Sequence, residues 1–329
     1  MPKITFGIVL PTRGVLFSGA DPRMDVIGLG KLTEEYGYYA VWAGDSILAK
    51  PRLDSIAVLS AVAGATERVK LGTSCFASFP LRHPILLGYQ WATLDQLSGG
   101  RTILVVCQGT PTKHGKIYRN EYDAFGIAPI EKVERVNEGI EILRKIWTED
   151  NVSYNGKIFK FKEVTVLPKP KQKYCPIWMA SNPRSTGELE GAPGNIEGNF
   201  ERVGKYADGW MTTMVTPHEY AEDLGKVLGY AKKYGKGRSK FKASLYYNVN
   251  MGEKIEAGQE AVDFLTKYYR EDASGVLDKW VAFGTRADVM KKLEAFADAG
   301  VEDFNIRFVA WDQIQQLKKF SKEILPSFT

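Results

Sequence analysis

Eight short apolar segments alternate with amphipathic segments of helical spacing along this chain, and no other feature constrains its fold as strongly. The apolar segments are rich in β-branched residues and end at Pro, Gly or polar residues, which is typical of buried strands. Strands that alternate with helices pair in parallel, because each helix supplies the crossover between two neighbouring strands. The predicted strands span residues 4–10, 39–42, 69–76, 102–107, 177–180, 210–214, 244–250 and 304–309.

Apolar residues at spacings of three and four predict helices between these strands. The clearest stripe runs from Val133 to Trp147. Asp54 is suited to cap the helix that follows it. Pro84 is suited to begin another helix, because an amide hydrogen at the first helical position would be unpaired and proline has none. The predicted helices span residues 25–36, 54–65, 84–97, 133–147, 200–206, 261–269, 289–296 and 314–320.

A parallel sheet of this size is either an open doubly wound sheet or a closed barrel. The first strand-to-helix turn, residues 11–19, lacks the Gly-x-Gly-x-x-Gly pattern of dinucleotide-binding sheets, and Gly28 and Gly30 lie inside a predicted helix. Eight units in one chain favour an α/β fold of the (β/α)8 TIM barrel type. At ~150 residues per domain, the length of the chain suggests about two domains. Because the eight units belong to one barrel, we instead expect residues 1–329 to form a single domain. The excess over ~250 residues is assigned to insertions at the C-terminal face, at about residues 110–130, 182–199 and 251–283.

Composition narrows the choice of partners and compartment. Lys and Arg exceed Asp and Glu by 44 to 39 without a basic stripe, so nucleic acid is not an expected partner. No apolar run reaches the ~18 residues of a membrane span, and residues 1–14 predict a strand and a turn, not a signal peptide. The three cysteines are scattered, which argues against a disulfide framework and for a reducing, cytoplasmic location.

The active sites of such barrels lie at the C-terminal ends of the strands. Here those ends carry hydroxyls, amides and aromatic rings, which suits a planar organic cofactor. None of the three histidines pairs with another at helical spacing, so no metal site is expected. His114, in the long loop after strand four, is either a proton-transfer group or a structural residue. Asp45 either orients a ring or caps the next turn, and Cys75 and Cys107 are expected to be packing residues at neighbouring strand ends.

A glycine-rich stretch follows strand five and precedes a helix, with the sequence SNPRSTGELEGAPGNIEGNF (residues 181–200). Free backbone amides and the helix dipole make such a helix start a phosphate site. The alternative is a mobile surface loop. In most barrels of this type the phosphate site follows strands seven and eight, so position alone does not choose this segment.

Several longer stretches, in this order, carry a family resemblance. They are EEYGYYAVWAGD (34–45), ATERVKLGT (65–73), RHPILLGYQWATLDQLSGGR (82–101), EYDAFG (121–126), ILRKIWTEDNVSYNGKIFKF (142–161), PKPKQKYCPIWMAS (168–181), KYADGW (205–210) and FGTRADVMKKLEAFADAGVEDF (283–304). Together they resemble the bacterial-luciferase-like family of flavin- and deazaflavin-dependent oxidoreductases, whose fold is a barrel of the type predicted above.

The resemblance implies a reduced flavin or deazaflavin across the strand ends, with a non-prolyl cis peptide bond at Ser74–Cys75. Thr73 and Gln108 would contact the edge of the ring. The residues expected to hold the phosphate are Ser181, Asn182, Gly194 and Asn195.

Two departures from the family concern the mechanism. Strand four ends in Cys107-Gln108-Gly109 in place of Gly-x-Gly, and Gly44-Asp45-Ser46 lacks the histidine that many members carry after strand two. Proton transfer is therefore assigned to His114 or to water.

The leading hypothesis is a monooxygenase that uses O₂ and reduced FMN from a separate flavin reductase to oxygenate a small organic substrate. One alternative is hydride transfer with the deazaflavin coenzyme F-420, and another is a non-catalytic flavin-binding homologue. Arg13 and rim aromatics suggest a substrate with an apolar body and an anionic group, and the resemblance implies a homodimer. The rim aromatics are Phe17, Phe76, Phe79 and Trp311.

Overall fold

A closed barrel of eight parallel strands forms the centre of the protein in a computed structural model that describes residues 4–186 and 196–328. Each strand pairs with the next along the chain, and the last pairs with the first. The predicted (β/α)8 TIM barrel is confirmed. The strands are β1 (Thr5–Leu10), β2 (Ala40–Asp45), β3 (Lys70–Phe76), β4 (Thr102–Val106), β5 (Ile177–Ala180), β6 (Gly209–Thr212), β7 (Lys242–Met251) and β8 (Asp303–Phe308).

Helices surround the barrel and fill the longer connections between strands. A π-helical turn at Arg23–Gly28 leads into the second helix. The helices are α1 (Val15–Ser18), α2 (Leu29–Glu35), α3 (Ser55–Ala63), α4 (Pro84–Leu97), α5 (Lys116–Ala124), α6 (Lys132–Thr148), α7 (Pro183–Thr186), α8 (Ile196–Tyr206), α9 (Pro217–Lys233), α10 (Lys254–Tyr269), α11 (Leu277–Trp280), α12 (Arg286–Asp298) and α13 (Gln313–Glu323). Elements that were not predicted include the helices α5 and α9, the short helices α1, α7 and α11, and an antiparallel hairpin of Val152–Asn155 and Lys160–Val164.

The alternation of side chains along each strand separates two apolar layers. On β1, Phe6, Ile8 and Leu10 face outward into the core between the strands and the helices. The barrel interior is a separate cluster built around Trp42 and Trp178, whose rings lie 5.6 Å apart. This interior core fills the barrel below the C-terminal ends of its strands.

The segment between β7 and β8 covers part of the barrel mouth. Its helix α10 has an apolar face that includes Phe264 and Tyr268 and that packs against Trp280 and Val309. A short strand, Val281–Gly284, pairs with the outer half of β7. None of the helices in the described ranges is both long and apolar enough to cross a membrane.

The N-terminal end of the barrel contains a buried carboxyl group that makes stability depend on pH. Asp303 accepts hydrogen bonds from Thr5 Oγ1 at 2.8 Å, Ser244 Oγ at 2.9 Å and Asn305 Nδ2 at 2.7 Å. Burial nevertheless raises the pKa of Asp303 from 3.8 to about 6. The folded state thus holds this proton more tightly than the unfolded state. The resulting stability is complete below pH 3.8 and is lost as the pH rises through about 6.

We expect Asp303→Asn to remove this pH dependence. The free energy of unfolding of the native protein, relative to that of the variant, should decrease as the pH rises from about 4 to about 7. Urea denaturation at several pH values measures the difference. Asp288→Asn is the control, because hydrogen bonds from Thr285 and Lys254 lower the pKa of Asp288 to about 2. The stabilising effect of the Asp288 carboxylate is lost only as the pH falls below 3.8. The difference in free energy of unfolding between the native protein and Asp288→Asn should therefore stay nearly flat between about pH 4 and about pH 7. A flat curve for Asp303→Asn as well would show that this carboxyl titrates normally.

Candidate functional site

A cavity of about 240 Å³ lies at the C-terminal end of the barrel. Its walls come from the ends of β2 to β6, from β7 and β8, and from the α10 segment. Four of the residues predicted for the site line it, namely Asp45, Ser74, Cys75 and Asn182. The cavity therefore lies where barrel enzymes of this type carry their active sites.

The end of β3 forms one wall of the cavity. The Ser74–Cys75 peptide bond is cis, as predicted. The buried Ser74 Oγ has no hydrogen-bond partner among the described residues. Thr73 does not line the cavity, and its contact with a ring edge stays a prediction. Its hydroxyl donates to the carbonyl of Val105 at 3.0 Å and accepts from the amide of Val105 at 2.9 Å, because the regular pairing of β3 with β4 is interrupted here.

The expectation of unpaired cysteines was wrong. Cys75 and Cys107 form a disulfide, with their Cα atoms 6.1 Å apart, whereas Cys175 is free and buried. The argument from cysteine number and spacing failed because the two residues lie at the ends of neighbouring parallel strands. The cysteines therefore do not support the inference of a reducing compartment.

A cluster of hydrogen-bond donors lies between the end of β4 and the first turns of α8. The buried Arg202 donates through Nη2 to Gln108 Oε1 at 3.0 Å and to Asn199 Oδ1 at 2.8 Å. Its Nε and the Nδ2 of Asn199 have no acceptor within the described ranges. Burial lowers the pKa of Arg202 to about 10. Gln108 orients this guanidinium and does not line the cavity, and its contact with a ring stays a prediction.

Asn182 and Ser181 follow β5 on the same side of the barrel. Asn182 Oδ1 accepts from the hydroxyl of Thr212 at 2.9 Å and from the amide of Thr213 at 3.1 Å, which fixes the side chain at the cavity wall. Ser181 is buried, and its carbonyl accepts from the indole of Trp210 at 3.0 Å. The predicted phosphate residues Gly194 and Asn195 lie outside the described residues.

The carboxylate of Asp45 is engaged in hydrogen bonds around the end of β2. Oδ1 accepts from the amide of Ser78 at 2.7 Å, and Oδ2 accepts from the hydroxyl of Ser55 at 3.1 Å and lies 3.7 Å from the guanidinium of Arg82. Burial raises the pKa of Asp45, and the hydrogen bonds and Arg82 oppose that shift. Of the two interpretations of Asp45, this geometry favours capping of the loop over direct chemistry.

Neither His114 nor Arg13 lines the cavity. His114 is exposed in a short turn, and its role in proton transfer stays a prediction. Arg13 donates from Nε to the carbonyl of Tyr268 at 2.9 Å and from Nη1 to the carbonyl of Pro51 at 2.9 Å. It thus joins the α10 segment to the barrel.

The predicted rim aromatics also lie elsewhere. Phe76 and Phe79 are buried among the helices, whereas Phe17 and Trp311 pack against α10. The aromatic rings that line the cavity are Tyr118, Tyr246, Tyr268, Tyr269 and Trp280.

Four charged residues in the cavity wall were not predicted, namely Lys50, Arg52, Glu121 and Arg307. Glu121 Oε1 accepts from the amides of Ile47 and Leu48 at 2.9 and 2.8 Å, so it holds the turn after β2. Arg307 points inward from β8. In β8, Asp303, Asn305 and Arg307 alternate with apolar residues, and this period of two is a signal in the sequence that places Arg307 on the inner face.

Comparisons with known proteins agree with this architecture. A model of the family described as luciferase-like monooxygenase matches residues 4–303. An F420-dependent glucose-6-phosphate dehydrogenase from Amycolatopsis mediterranei is 25% identical over 324 residues, covering 93% of this chain and 94% of that protein. An FMNH(2)-dependent dimethylsulfone monooxygenase from Pseudomonas putida is 31% identical over 140 residues, covering 41% and 36%. A solved F420-dependent secondary alcohol dehydrogenase superposes with a TM-score of 0.80 at 19% identity, over 99% of both chains.

Proposed function

We propose a function for this chain, which belongs to the luciferase-like monooxygenase family. It is an oxidoreductase that transfers a hydride between coenzyme F-420 and a small organic substrate. The choice of cofactor rests on one observation, the share of the chain that each relative matches. The relative named as F420-dependent matches 93% of the chain, and the relative named as FMNH(2)-dependent matches 41%. We therefore place F-420 ahead of reduced FMN.

The donor set supports a phosphate-bearing cofactor on the β3–β6 side of the cavity. Three buried polar atoms have no partner within the described ranges, namely Ser74 Oγ, Arg202 Nε and Asn199 Nδ2. Ser74 lines the cavity, whereas Arg202 and Asn199 lie beside Gln108 at the end of β4, outside the cavity lining. Buried groups of this kind are rare in folded proteins unless a ligand satisfies them. No carboxylate accepts from Arg202 among its described hydrogen bonds, so its charge is available to a phosphate. When bound, the coenzyme supplies the hydride acceptor or donor.

The protein's own residues would then position and shield the reactants. Ser74 and Asn182 line the wall against which a ring would lie. Tyr268 and Tyr269 of the α10 segment cover the opposite side and exclude water. Asp45 keeps the β2 and β3 loops in place through Ser78. The direct roles predicted for His114 and Arg13 remain predictions.

A monooxygenase that uses reduced FMN is the second candidate. The observation that favours it is the 31% identity to the Pseudomonas putida enzyme, which is higher than the 25% of the longer match. Both candidates place a cofactor phosphate near Arg202, so the cavity wall alone does not choose between them.

Titration of the purified protein with F-420 and, separately, with reduced FMN under anaerobic conditions tests the proposal. We expect F-420 to bind with a 1:1 end point and reduced FMN to bind much more weakly. Tight binding of reduced FMN with no binding of F-420 would replace the proposal by the monooxygenase. Binding of neither would support the non-catalytic alternative.

Oligomeric state and location stay predictions. Leu86, Tyr89 and Leu97 form an exposed apolar stripe on α4, which supports the proposed homodimer, and the mass of the protein in solution decides it. A separate flavin reductase would be required only by the FMN candidate. The cytoplasmic location has no further support from the structure.

A further inference from the structure

The side chain of Arg307 is a buried charge with an unused hydrogen-bond donor. It is 4% exposed on β8. Its Nε donates to Asn248 Oδ1 at 2.9 Å and its Nη1 donates to the hydroxyl of Tyr269 at 3.1 Å. Its Nη2 has no hydrogen-bond partner in the described part of the chain. A buried guanidinium without a carboxylate is costly, so this arrangement favours an anion that the protein itself does not provide.

The rest of the cavity reinforces this positive charge. Lys50 and Arg52 also line it, and neither forms an ion pair among the described residues. The two carboxylates in the wall, Asp45 and Glu121, already accept main-chain amide hydrogens. The three cations outnumber these two carboxylates, so the cavity wall keeps a net positive charge that would attract an entering anion.

Aromatic rings surround the guanidinium of Arg307. Its Cζ lies 4.5 Å from the ring centroid of Tyr268, 5.4 Å from that of Tyr246 and 5.7 Å from that of Trp280. A ligand that reaches Nη2 must therefore place the rest of its body against aromatic faces. We call this set of Lys50, Arg52, Tyr246, Tyr268, Tyr269, Trp280 and Arg307 the Arg307 pocket.

The Arg307 pocket is separate from the proposed cofactor phosphate site. In the closed order of eight strands, β8 lies across the barrel from β4, whereas Arg202 and Gln108 lie at the end of β4. One phosphate group cannot occupy both positions. The second cationic site is therefore available to the other reactant.

We propose that the Arg307 pocket binds the carboxylate of a small organic acid, which is the substrate class of this enzyme. The carboxylate accepts a hydrogen bond from Arg307 Nη2, with Arg52 and Lys50 adding charge. The apolar part of the acid packs against the tyrosines and Trp280. The identification of the ligand as the substrate rests on the proposed function. The anion site itself does not depend on that function.

Benzoate and benzamide test the proposal, because they match in size and shape and differ in charge. Calorimetric titration of the native protein should show at least about tenfold tighter binding of benzoate. Arg307→Met should abolish this preference, and Arg52→Met should reduce it. Arg23→Met, at an exposed arginine paired with Asp21, should leave it unchanged. Equal affinity for the two probes in the native protein, or an unchanged preference in a folded Arg307→Met variant, would overturn the proposal.

Repeating the titration on the F-420-loaded protein separates this inference from the proposed function. Benzoate binding that persists in the loaded protein supports a substrate site. Displacement of benzoate by the coenzyme, one molecule for one, would assign the pocket to the cofactor and overturn the inference, while leaving the proposed function intact. A preference for benzoate in a protein that binds neither cofactor would refute the proposed function and leave the anion site.

Discussion

Replacing Gly72 by alanine is expected to lower the free energy of unfolding by about 4 kcal/mol, through overpacking of the barrel interior. A Cβ atom at this position on β3 would overlap the six-membered ring of Trp42. That ring is fully buried, and the opposite edge of the indole lies where a Cβ of Gly7 on β1 would be. The indole thus spans two glycines and has no free side toward which to move.

Urea denaturation of Gly72→Ala measures this effect, and two further variants identify its cause. In the background of Trp42→Leu the same substitution should cost much less, because the smaller side chain leaves room for the methyl group. Gly229→Ala, on α9 where no atom lies within 4 Å of the added Cβ, should instead raise the stability by up to about 1 kcal/mol. An equal loss for Gly72→Ala in both backgrounds would exclude overlap with Trp42 as the mechanism.

The barrel could be predicted from the sequence because its signals are local. Parallel strands buried on both faces are continuous apolar runs, and the helices between them show their own spacing. The helix α4 begins and ends at Pro84 and Leu97 as predicted, and Asp54 caps α3 by accepting from the amide of Ala57 at 2.9 Å. The hairpin of Val152–Asn155 and Lys160–Val164 was missed because its strands are short and mostly polar or exposed.

The candidate site was less predictable, because it depends on which side chains converge after folding. The resemblance located the Ser74–Cys75 bond and the wall residue Asn182. It could not reveal that the hydroxyl of Thr73 is used between strands, or that Cys75 and Cys107 pair. Such contacts join residues that are tens of positions apart, and periodicity carries no information about them.

The cationic residues show the same limit. Arg13 was selected because it follows β1, yet its guanidinium is used by the carbonyls of Pro51 and Tyr268. Arg202 lies within the helix α8, and Arg307 lies within β8, one residue before the end of that strand. Their importance follows from burial combined with the absence of an ion-pair partner among the described residues, and both are three-dimensional properties.

Replacing Arg202 by methionine is expected to weaken cofactor binding about 10- to 100-fold, because hydrogen bonds to charged groups contribute about 1.5–3 kcal/mol each. FMN and F-420 both carry a phosphate ester, so the prediction holds for whichever cofactor binds. Arg202→Lys should recover part of the affinity, since it keeps the charge but loses the planar guanidinium, whose Nη2 donates to both Gln108 and Asn199.

The phosphate-free ribosides of the same ring systems distinguish a direct contact from a loss of structure. If Arg202 binds the phosphate, the native protein and Arg202→Met should bind riboflavin, or the corresponding deazaflavin riboside, with similar affinity. Only the phosphorylated form should then lose affinity. If both forms weaken equally, Arg202 acts by holding Gln108 and the first turns of α8 in place, and the phosphate must be bound by other groups. The Nε of this desolvated guanidinium has no hydrogen-bond partner among the described residues. We therefore expect the loss of affinity in Arg202→Met to be confined to the phosphorylated cofactor.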